Sequence, residues 1–411
     1  MNTLKQSIIG VTILASLYGC GGGGGTDTSA TGSDSTTGVK TASPTTITTT
    51  DQTSTQTAST TTQSSTTNNS AKSASASNNT SALHTKLGYN YHDYYNYTGV
   101  NTNLNMAAAK SMLAAGVKWA RVFRDAGWGT NQAEDNALLA FMQTFRQGGG
   151  KILFVIGWGF DNYGNLANDA NQRNEVADQI MNGPRGVKYT LAKYAGQIDA
   201  MEMGNEYQLH GTWDPNNPNS PNSGIAYARL MNIVVPQVAA AAPALPIYPS
   251  STVENSAVSL TQGAQFMVDL YNNSNNTVKA KWAGPNLHIY DHLNRSASGI
   301  IGKFNTLSAI IDKVWPNAQY VITEVGITTG TAGEYGGATV YNNDMQRDIM
   351  VDIAKSWASN SKINFWNFYE WNDKGTAYWD GENSFGTLTF DMKPKTVNSG
   401  KSLYDSWVSL P

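Results

Sequence analysis

The chain has very little cysteine, no run of basic residues and no apolar stretch long enough to cross a bilayer. Its single cysteine is Cys20, so no internal disulfide can support the fold. The net charge is −3, and without a cluster of Lys and Arg there is no electrostatic reason to expect a nucleic-acid partner. The apolar run at residues 8–17 is too short for a transmembrane helix.

The first residues instead have the pattern of a secretory signal. Lys5 supplies a positive charge, the apolar run follows, and the segment ends in Leu17-Tyr18-Gly19-Cys20. This ending resembles the cleavage box of bacterial lipoproteins, in which the cysteine becomes the lipidated first residue. The resemblance implies a signal peptide at 1–19, a lipid anchor on Cys20 and a location in the bacterial cell envelope. A glycine after the cysteine favours the outer membrane, and secretion without an anchor is the alternative.

Residues 20–82 form a low-complexity tract of Gly, Ser, Thr, Ala and Asn. Such a tract has too few large apolar side chains to offset the entropy of ordering it. We therefore predict a disordered tether between the anchor and a folded domain. The composition changes at Leu83, and residues 83–411 have the length of one large domain.

Eight short apolar runs in that domain, each followed by a helical pattern, predict an α/β fold of the (β/α)8 TIM-barrel type. An open doubly wound sheet is the alternative, but no Gly-x-Gly-x-x-Gly follows the first strand. The predicted strands are 86–91, 118–123, 151–156, 198–203, 245–248, 286–290, 319–323 and 363–368. The predicted helices are 106–115, 134–148, 175–181 continuing to 187–194, 226–242, 260–271, 300–314, 343–359 and 396–407.

Two glutamates stand at the ends of predicted strands, Glu206 after the fourth and Glu324 directly after the seventh. In a barrel of this type, residues at the C-terminal strand ends converge on one pocket. Two converging carboxylates are what the hydrolysis of a glycosidic bond requires. Either glutamate alone would more often be a surface or salt-bridging residue, so the pattern depends on the pair.

The segments Gly204-Asn205-Glu206 and Thr323-Glu324-Val325-Gly326 resemble motifs of the glycoside hydrolase clan that contains families 5 and 39. The resemblance covers residues 83–411. It implies that Glu206 is the general acid/base and Glu324 the nucleophile of a retaining enzyme. Such an enzyme needs no cofactor, and its partner is a polysaccharide or oligosaccharide substrate. We expect a monomer.

Further positions match the same clan. Arg121 resembles its strand-two arginine, and Glu202 is expected to pair with it because a buried charge needs a partner. Asn205 would bind the sugar 2-hydroxyl. His288 and Tyr290 resemble a His-x-Tyr pair, in which the tyrosine hydroxyl would bond Glu324 and hold its pKa down. Arg121 would likewise keep Glu324 ionised.

Tryptophan is the expected platform under the sugar. The segment around Trp371 resembles the end of strand eight in family 39-like bacterial hydrolases, so Trp371 is the predicted platform, with Trp366 as the second choice. Many family 5 enzymes have a histidine after strand three, where this chain has Trp158. Aromatic residues at several strand ends favour an extended cleft and endo action, and they are Trp128, Trp158, Trp213 and Trp371.

Other readings of the same residues remain open. His288 and His292 could suggest a metal, but the first strand lacks a His-x-His pair, so we expect none. Acidic residues in the C-terminal loops leave room for a structural calcium, namely Asp373, Asp380 and Glu382. A lipoprotein that binds glycans without cleaving them and an exo-acting β-glycosidase are the alternative functions.

Overall fold

The structure is a computed structural model. It describes residues 82–93, 100–157, 166, 168–209, 220, 223–252, 259–291, 296–329, 342–374 and 384–410. The expectations for the signal peptide, Cys20 and nearly all of the tether lie outside the described residues, as do those for Trp158, Trp213, His292, Asp380 and Glu382.

Within the described residues, eight parallel strands form one sheet that curls into a nearly closed barrel. The sheet has the order β5-β4-β3-β2-β1-β8-β7-β6. Between its two edges the backbone of Thr252 donates to Asn286 (3.2 Å) and accepts from His288 (2.8 Å). The predicted barrel is therefore confirmed. The strands are β1 Leu87–Asn90, β2 Trp119–Asp125, β3 Lys151–Gly157, β4 Ala200–Met203, β5 Ile247–Pro249, β6 Asn286–Ile289, β7 Tyr320–Val325 and β8 Ile363–Phe368.

Helices connect successive strands and pack on the outside of the sheet. Asn, Asp and Ser side chains begin most of them by accepting backbone N–H groups. Over the described residues they are α1 Ala82–Lys86, α2 Thr102–Ala114, α3 Gln132–Gln147, α4 Ala170–Asn182, α5 Val187–Lys193, α6 Gly224–Ala241, α7 Leu260–Asn273, α8 Asn276–Lys279, α9 Ala297–Ile311, α10 Asn343–Ala358 and α11 Leu403–Ser409.

The predicted helix 396–407 is wrong over its first half. Asp344 accepts hydrogen bonds from the backbone N–H groups of Asn398 (2.9 Å) and Ser399 (3.2 Å). Gly400 has a φ of 75°, which a right-handed helix does not adopt. The helix begins only after Ser402, whose hydroxyl accepts the backbone N–H of Asp405 at 3.0 Å.

The strands divide their side chains between two layers, as the alternation of a β-strand requires. One face packs against the helices, and the other fills the barrel. The lower part of the interior is apolar and consists of Trp119, Leu153, Ala200, Tyr248, Val321 and Phe365. Above this plug the inward-facing residues become polar. The interior is therefore closed at the N-terminal ends of the strands, and its polar chemistry is confined to the opposite mouth.

None of the helices in the described part of the chain is both long and apolar enough to span a bilayer.

Candidate active site

The polar residues above the plug come from strands that are distant in sequence. Arg121 lies on β2, Glu202 on β4, His288 on β6 and Glu324 on β7. A β-bulge in β7 changes the register: Leu287 pairs with Ile322, whereas His288 pairs with Glu324. Thr323 is the extra residue, and such a bulge re-aims neighbouring side chains. Its consequence is that Thr323 and Glu324 both contact inward-facing side chains, although they are adjacent in sequence.

Arg121 is the centre of the hydrogen-bond network. Its Nε and Nη2 donate to the two carboxylate oxygens of Glu202 at 2.7 and 3.0 Å, so the expected pairing is present. Its Nη1 donates to Asn90 (2.8 Å) and Glu324 (2.7 Å), and Nη2 also donates to Asn205 (2.7 Å). Burial lowers the pKa of Arg121, but the two carboxylates raise it by more, to above its ordinary value. Arg121 therefore stays charged.

Glu324 is held at both carboxylate oxygens. Oε1 accepts from Arg121, and Oε2 accepts from the Tyr290 hydroxyl at 2.8 Å and lies 3.4 Å from Nδ1 of His288. Burial raises the pKa of Glu324 above its ordinary value, whereas His288, Arg121 and the Tyr290 hydroxyl act to lower it. The expected contacts of Arg121 and Tyr290 with Glu324 are both present. Burial nevertheless raises the pKa of Glu324 by more than these contacts lower it.

Glu206 is held differently and is more exposed. Its side chain is 21% accessible, against 10% for Glu324. It follows β4 with a φ of 45°, an uncommon conformation for a glutamate. The hydroxyls of Ser250 and Ser251 support this turn by accepting the backbone N–H groups of Tyr207 (3.0 Å) and Glu206 (3.3 Å). The turn directs the carboxylate towards Glu324.

His288 joins the two glutamates. Its Nδ1 is 2.7 Å from Oε1 of Glu206, and its Nε2 is 3.0 Å from the hydroxyl of Thr323. Burial lowers the pKa of His288 to about 4. The negative charge of Glu324 opposes this shift, and the positive charge of Arg121 reinforces it. The imidazole is therefore neutral near pH 7. One ligand-type atom from each of Glu206, His288 and Glu324 lies within 4.8 Å of the other two.

These three residues could in principle offer a metal three ligands. The positive guanidinium of Arg121, however, lies 2.7 Å from the Glu324 oxygen and opposes a second cation there. The acidic C-terminal loop fits a calcium site no better at Asp373. That carboxylate lies 2.8 Å from the ammonium of Lys395, and burial raises its pKa to about 6. The described part of the site is suited to chemistry by carboxylates.

Two predictions for the sugar platform are wrong. Trp366 is fully buried because it is on the outward face of β8, where it packs edge-on against Trp357 of α10. Trp371 is also fully buried, and its indole donates to the hydroxyl of Ser111 on α2 at 3.0 Å. Neither ring has a face available to a ligand. Trp128, after β2, is 42% exposed and remains available.

The sequence predictions missed several residues of the site. Tyr369 follows β8 immediately and keeps 7% of its surface accessible, with its ring edge-on to His92 and Phe385. Asn90 ends β1 and bonds Arg121. Asn286 and Thr323 support His288 from below. Strand alternation alone could have shown that Trp366 faces away from the interior beside the inward-facing Phe365.

The chain matches no family model, and no curated protein matches it in sequence. Its structural neighbours are glycoside hydrolases. A family 39 glycoside hydrolase from the gut symbiont Bacteroides cellulosilyticus WH2 matches with a TM-score of 0.54 and 15% identity over 80% of this chain and 64% of its own. This chain thus spans less than two thirds of that enzyme.

Two further neighbours have the same fold. A family 5 (subfamily 18) enzyme from Streptomyces cattleya, in complex with Manβ1-4GlcNAc, has a TM-score of 0.51 and 13% identity over 75% of this chain and 77% of its own. An exo-β-1,4-mannosidase from Opitutaceae bacterium strain TAV5 has a TM-score of 0.51 and 12% identity, and the match covers 79% of this chain and 58% of its own. Families 5 and 39 belong to the clan whose motifs the sequence resembles. At these identities the likeness shows the barrel fold.

The contact between Tyr290 and Glu324 predicts a pKa change. The hydroxyl stabilises the charged carboxylate, so Tyr290→Phe should raise the pKa of Glu324 further above its ordinary value. Titration of ¹³C-labelled glutamate by NMR would measure the change, with Tyr271→Phe, on α7, as a control. An unchanged Glu324 titration in Tyr290→Phe would contradict the role given to this bond.

Proposed function

We propose that the protein is a retaining glycoside hydrolase that cleaves β-glycosidic bonds of a polysaccharide, with Glu206 as acid/base and Glu324 as nucleophile. The observation that carries the proposal is the close approach of the two carboxyl groups at the barrel mouth, with one oxygen of each within 4.8 Å of the other. Retaining enzymes keep their carboxyl groups about 5–5.5 Å apart, whereas inverting enzymes separate them further to admit a water.

The different surroundings of the two glutamates support this division of roles. Glu324 is the less exposed one, and Arg121 and Tyr290 fix both of its oxygens. These donors stabilise a carboxylate and aim it, as a nucleophile needs. Glu206 is the more exposed one, and its carboxylate lies 2.7 Å from Nδ1 of a neutral histidine, His288. Greater exposure suits a group that exchanges protons with a leaving group and with water.

In the first half of the proposed reaction, a Glu324 oxygen attacks the anomeric carbon. The bond to the leaving oxygen breaks, and that oxygen takes the proton of Glu206. Asn205, oriented by its bond from Arg121, lies beside Glu206 and would bind the 2-hydroxyl of the sugar. The product is a glycosyl-enzyme ester on Glu324.

In the second half, Glu206 acts as a base. It takes a proton from water while the water oxygen attacks the anomeric carbon and the ester bond to Glu324 breaks. Both residues return to their starting protonation states, and the two inversions at the anomeric carbon leave its configuration retained. No cofactor enters this scheme.

A polymer is the preferred substrate, with endo action. The low-complexity composition of residues 20–82, for which we predict a tether, suits a polymeric target. Trp128 offers an exposed ring after β2 for a sugar away from the cleavage point. Exo action would instead release one sugar unit at a time. The products of β-glucan, mannan, xylan and exopolysaccharide digests distinguish the two modes, because endo action yields mixed oligomers.

The nucleophile is tested by Glu324→Ala with azide rescue. We expect turnover to fall by about 10⁴-fold or more, because no covalent intermediate can form. Azide should restore activity on an aryl glycoside and give a glycosyl azide of inverted configuration. Circular dichroism checks the fold. Retained hydrolysis in the folded variant would remove Glu324 from this role, and binding without hydrolysis by the unaltered protein would favour a glycan-binding lipoprotein.

The acid role predicts a dependence on the leaving group. Glu206→Ala should slow substrates with poor leaving groups by about 10²–10⁴-fold, because only these need protonation to depart. Activated aryl glycosides should lose far less in their first step. Steady-state and burst kinetics on a series of aryl glycosides measure both. Equal losses across the series would argue against Glu206 as the acid.

We further propose that Cys20 anchors the protein to the bacterial cell envelope, at the outer membrane. The support is the short apolar run that ends in Leu17-Tyr18-Gly19-Cys20. Cells grown with a labelled fatty acid should label the full chain, and Cys20→Ala should abolish the label. Absence of label from the unaltered protein would leave secretion without an anchor as the explanation.

A further inference from the structure

A chain of buried hydrogen bonds leads from the backbone of β5 to Glu206. It begins at the carbonyl oxygen of Pro249, which accepts from Nδ2 of Asn286 at 3.0 Å. A carbonyl oxygen can only accept a hydrogen bond, so the NH₂ end of the Asn286 amide must face Pro249. The amide oxygen of Asn286 therefore faces the other way, towards Thr323.

The next link fixes the direction of the Thr323 hydroxyl. Its oxygen lies 2.7 Å from Oδ1 of Asn286 and 3.4 Å from Oε1 of Glu202. The amide oxygen can only accept. The single hydroxyl hydrogen is therefore donated to Asn286, over the shorter distance. The Thr323 oxygen is then the acceptor in its 3.0 Å contact with Nε2 of His288.

This link determines the tautomer of His288. Nε2 must carry a hydrogen, because it faces an oxygen whose own hydrogen points elsewhere. A neutral imidazole has only one such hydrogen, so Nδ1 is bare and accepts. Nδ1 lies 2.7 Å from Oε1 of Glu206, a distance that requires a proton between the two atoms. That proton must come from Glu206.

We propose that Asn286 and Thr323 are positioning residues that lock His288 with its hydrogen on Nε2, so that the bare Nδ1 holds Glu206 in its protonated form. The catalytic consequence rests on the function proposed above, since the protonated form is the one that serves as general acid. The tautomer itself follows from the hydrogen bonds together with the neutral state of the buried ring, and it does not depend on any substrate.

The charged groups around the imidazole are compatible with a neutral ring. Glu324 of β7 lies 3.4 Å from Nδ1, and Glu202 of β4 contacts the Thr323 hydroxyl. Both would favour an imidazolium. Arg121 of β2 bonds both of these carboxylates and opposes it, as does the complete burial of the ring. The hydroxyl of Tyr290 is already donated to Glu324.

The arrangement would also serve the second half of the reaction. Once Glu206 has given its proton to the leaving oxygen, its carboxylate faces the bare Nδ1, and neither atom has a hydrogen to share. This unfavourable contact increases the proton affinity of Glu206, which must next take a proton from water. The same tautomer thus supports Glu206 as acid and then as base.

The tautomer can be measured directly on the full chain. The protein has five histidines, so ¹⁵N-histidine labelling gives a simple NMR spectrum, and His288→Gln identifies the His288 signals. At neutral pH we expect a protonated Nε2 and a non-protonated Nδ1. A hydrogen on Nδ1 with a bare Nε2 would overturn the proposal. This readout does not depend on any substrate, so it can succeed even if no glycoside is cleaved.

Thr323→Val tests the relay itself. Valine keeps the shape and suits a strand but removes the hydroxyl, so Nε2 loses its acceptor and the hydrogen can move to Nδ1. Nδ1–H would then stabilise the carboxylate form of Glu206. The alkaline limb of the kcat/KM profile should move to lower pH by about one unit. In the NMR spectrum the His288 hydrogen should move to Nδ1.

Thr323→Ser is the matched control, because it keeps the hydroxyl and loses only a methyl group. We expect it to retain the original tautomer and the original position of the alkaline limb. An unmoved limb and an unchanged tautomer in folded Thr323→Val would overturn the proposal. A limb that moves equally in the serine variant would assign the effect to packing and would equally reject the relay.

Discussion

The site depends on one buried positive charge inside the barrel. Arg121 lies above an apolar plug, and a guanidinium in such surroundings is tolerated only when paired and fully hydrogen-bonded. Glu202 on β4 and Glu324 on β7 both form ion pairs with this guanidinium. Removing the arginine would leave two carboxylates buried without a counter-charge. Glu202 thus has a structural reason to be acidic without touching a substrate, and Glu324 is held as part of the same balance.

The two central glutamates differ because their partners differ. Glu324 receives hydrogen bonds from a permanent cation and a phenol, and its burial works against ionisation. Glu206 is more exposed and faces a neutral imidazole. Environment alone can therefore divide one residue type into two chemical roles. His288 lies between them with its Nδ1 towards both carboxylates, and we propose that the residues below it determine which of its nitrogens carries the hydrogen.

Much of this arrangement is readable in the sequence. All eight strands lie within two residues of their predicted bounds, because short apolar runs between helical patterns are a strong signal. Positions 121, 202, 205, 206, 288, 290 and 324 meet at one mouth because parallel strands bring their C-terminal ends together. The predicted tryptophan platform is wrong because of where each side chain points. Trp366 falls on the outward face of its strand, and Trp371 packs against α2 after the chain has left the sheet.

Apolar periodicity was enough to indicate the barrel and the strand ends that carry Glu206 and Glu324, and the cost of a buried charge indicated that Arg121 needs acidic partners. The other converging residues were identified by the resemblance to the hydrolase clan. How all of these residues act depends on tertiary contacts. The bulge in β7 directs both Thr323 and Glu324 into the site, and no propensity predicts a one-residue register shift. The hydrogen-bond direction from Pro249 to Glu206 depends on residues of β5, β6 and β7 and of the turn after β4, with each successive pair 2.7–3.0 Å apart. Such contacts exist only once the barrel has closed.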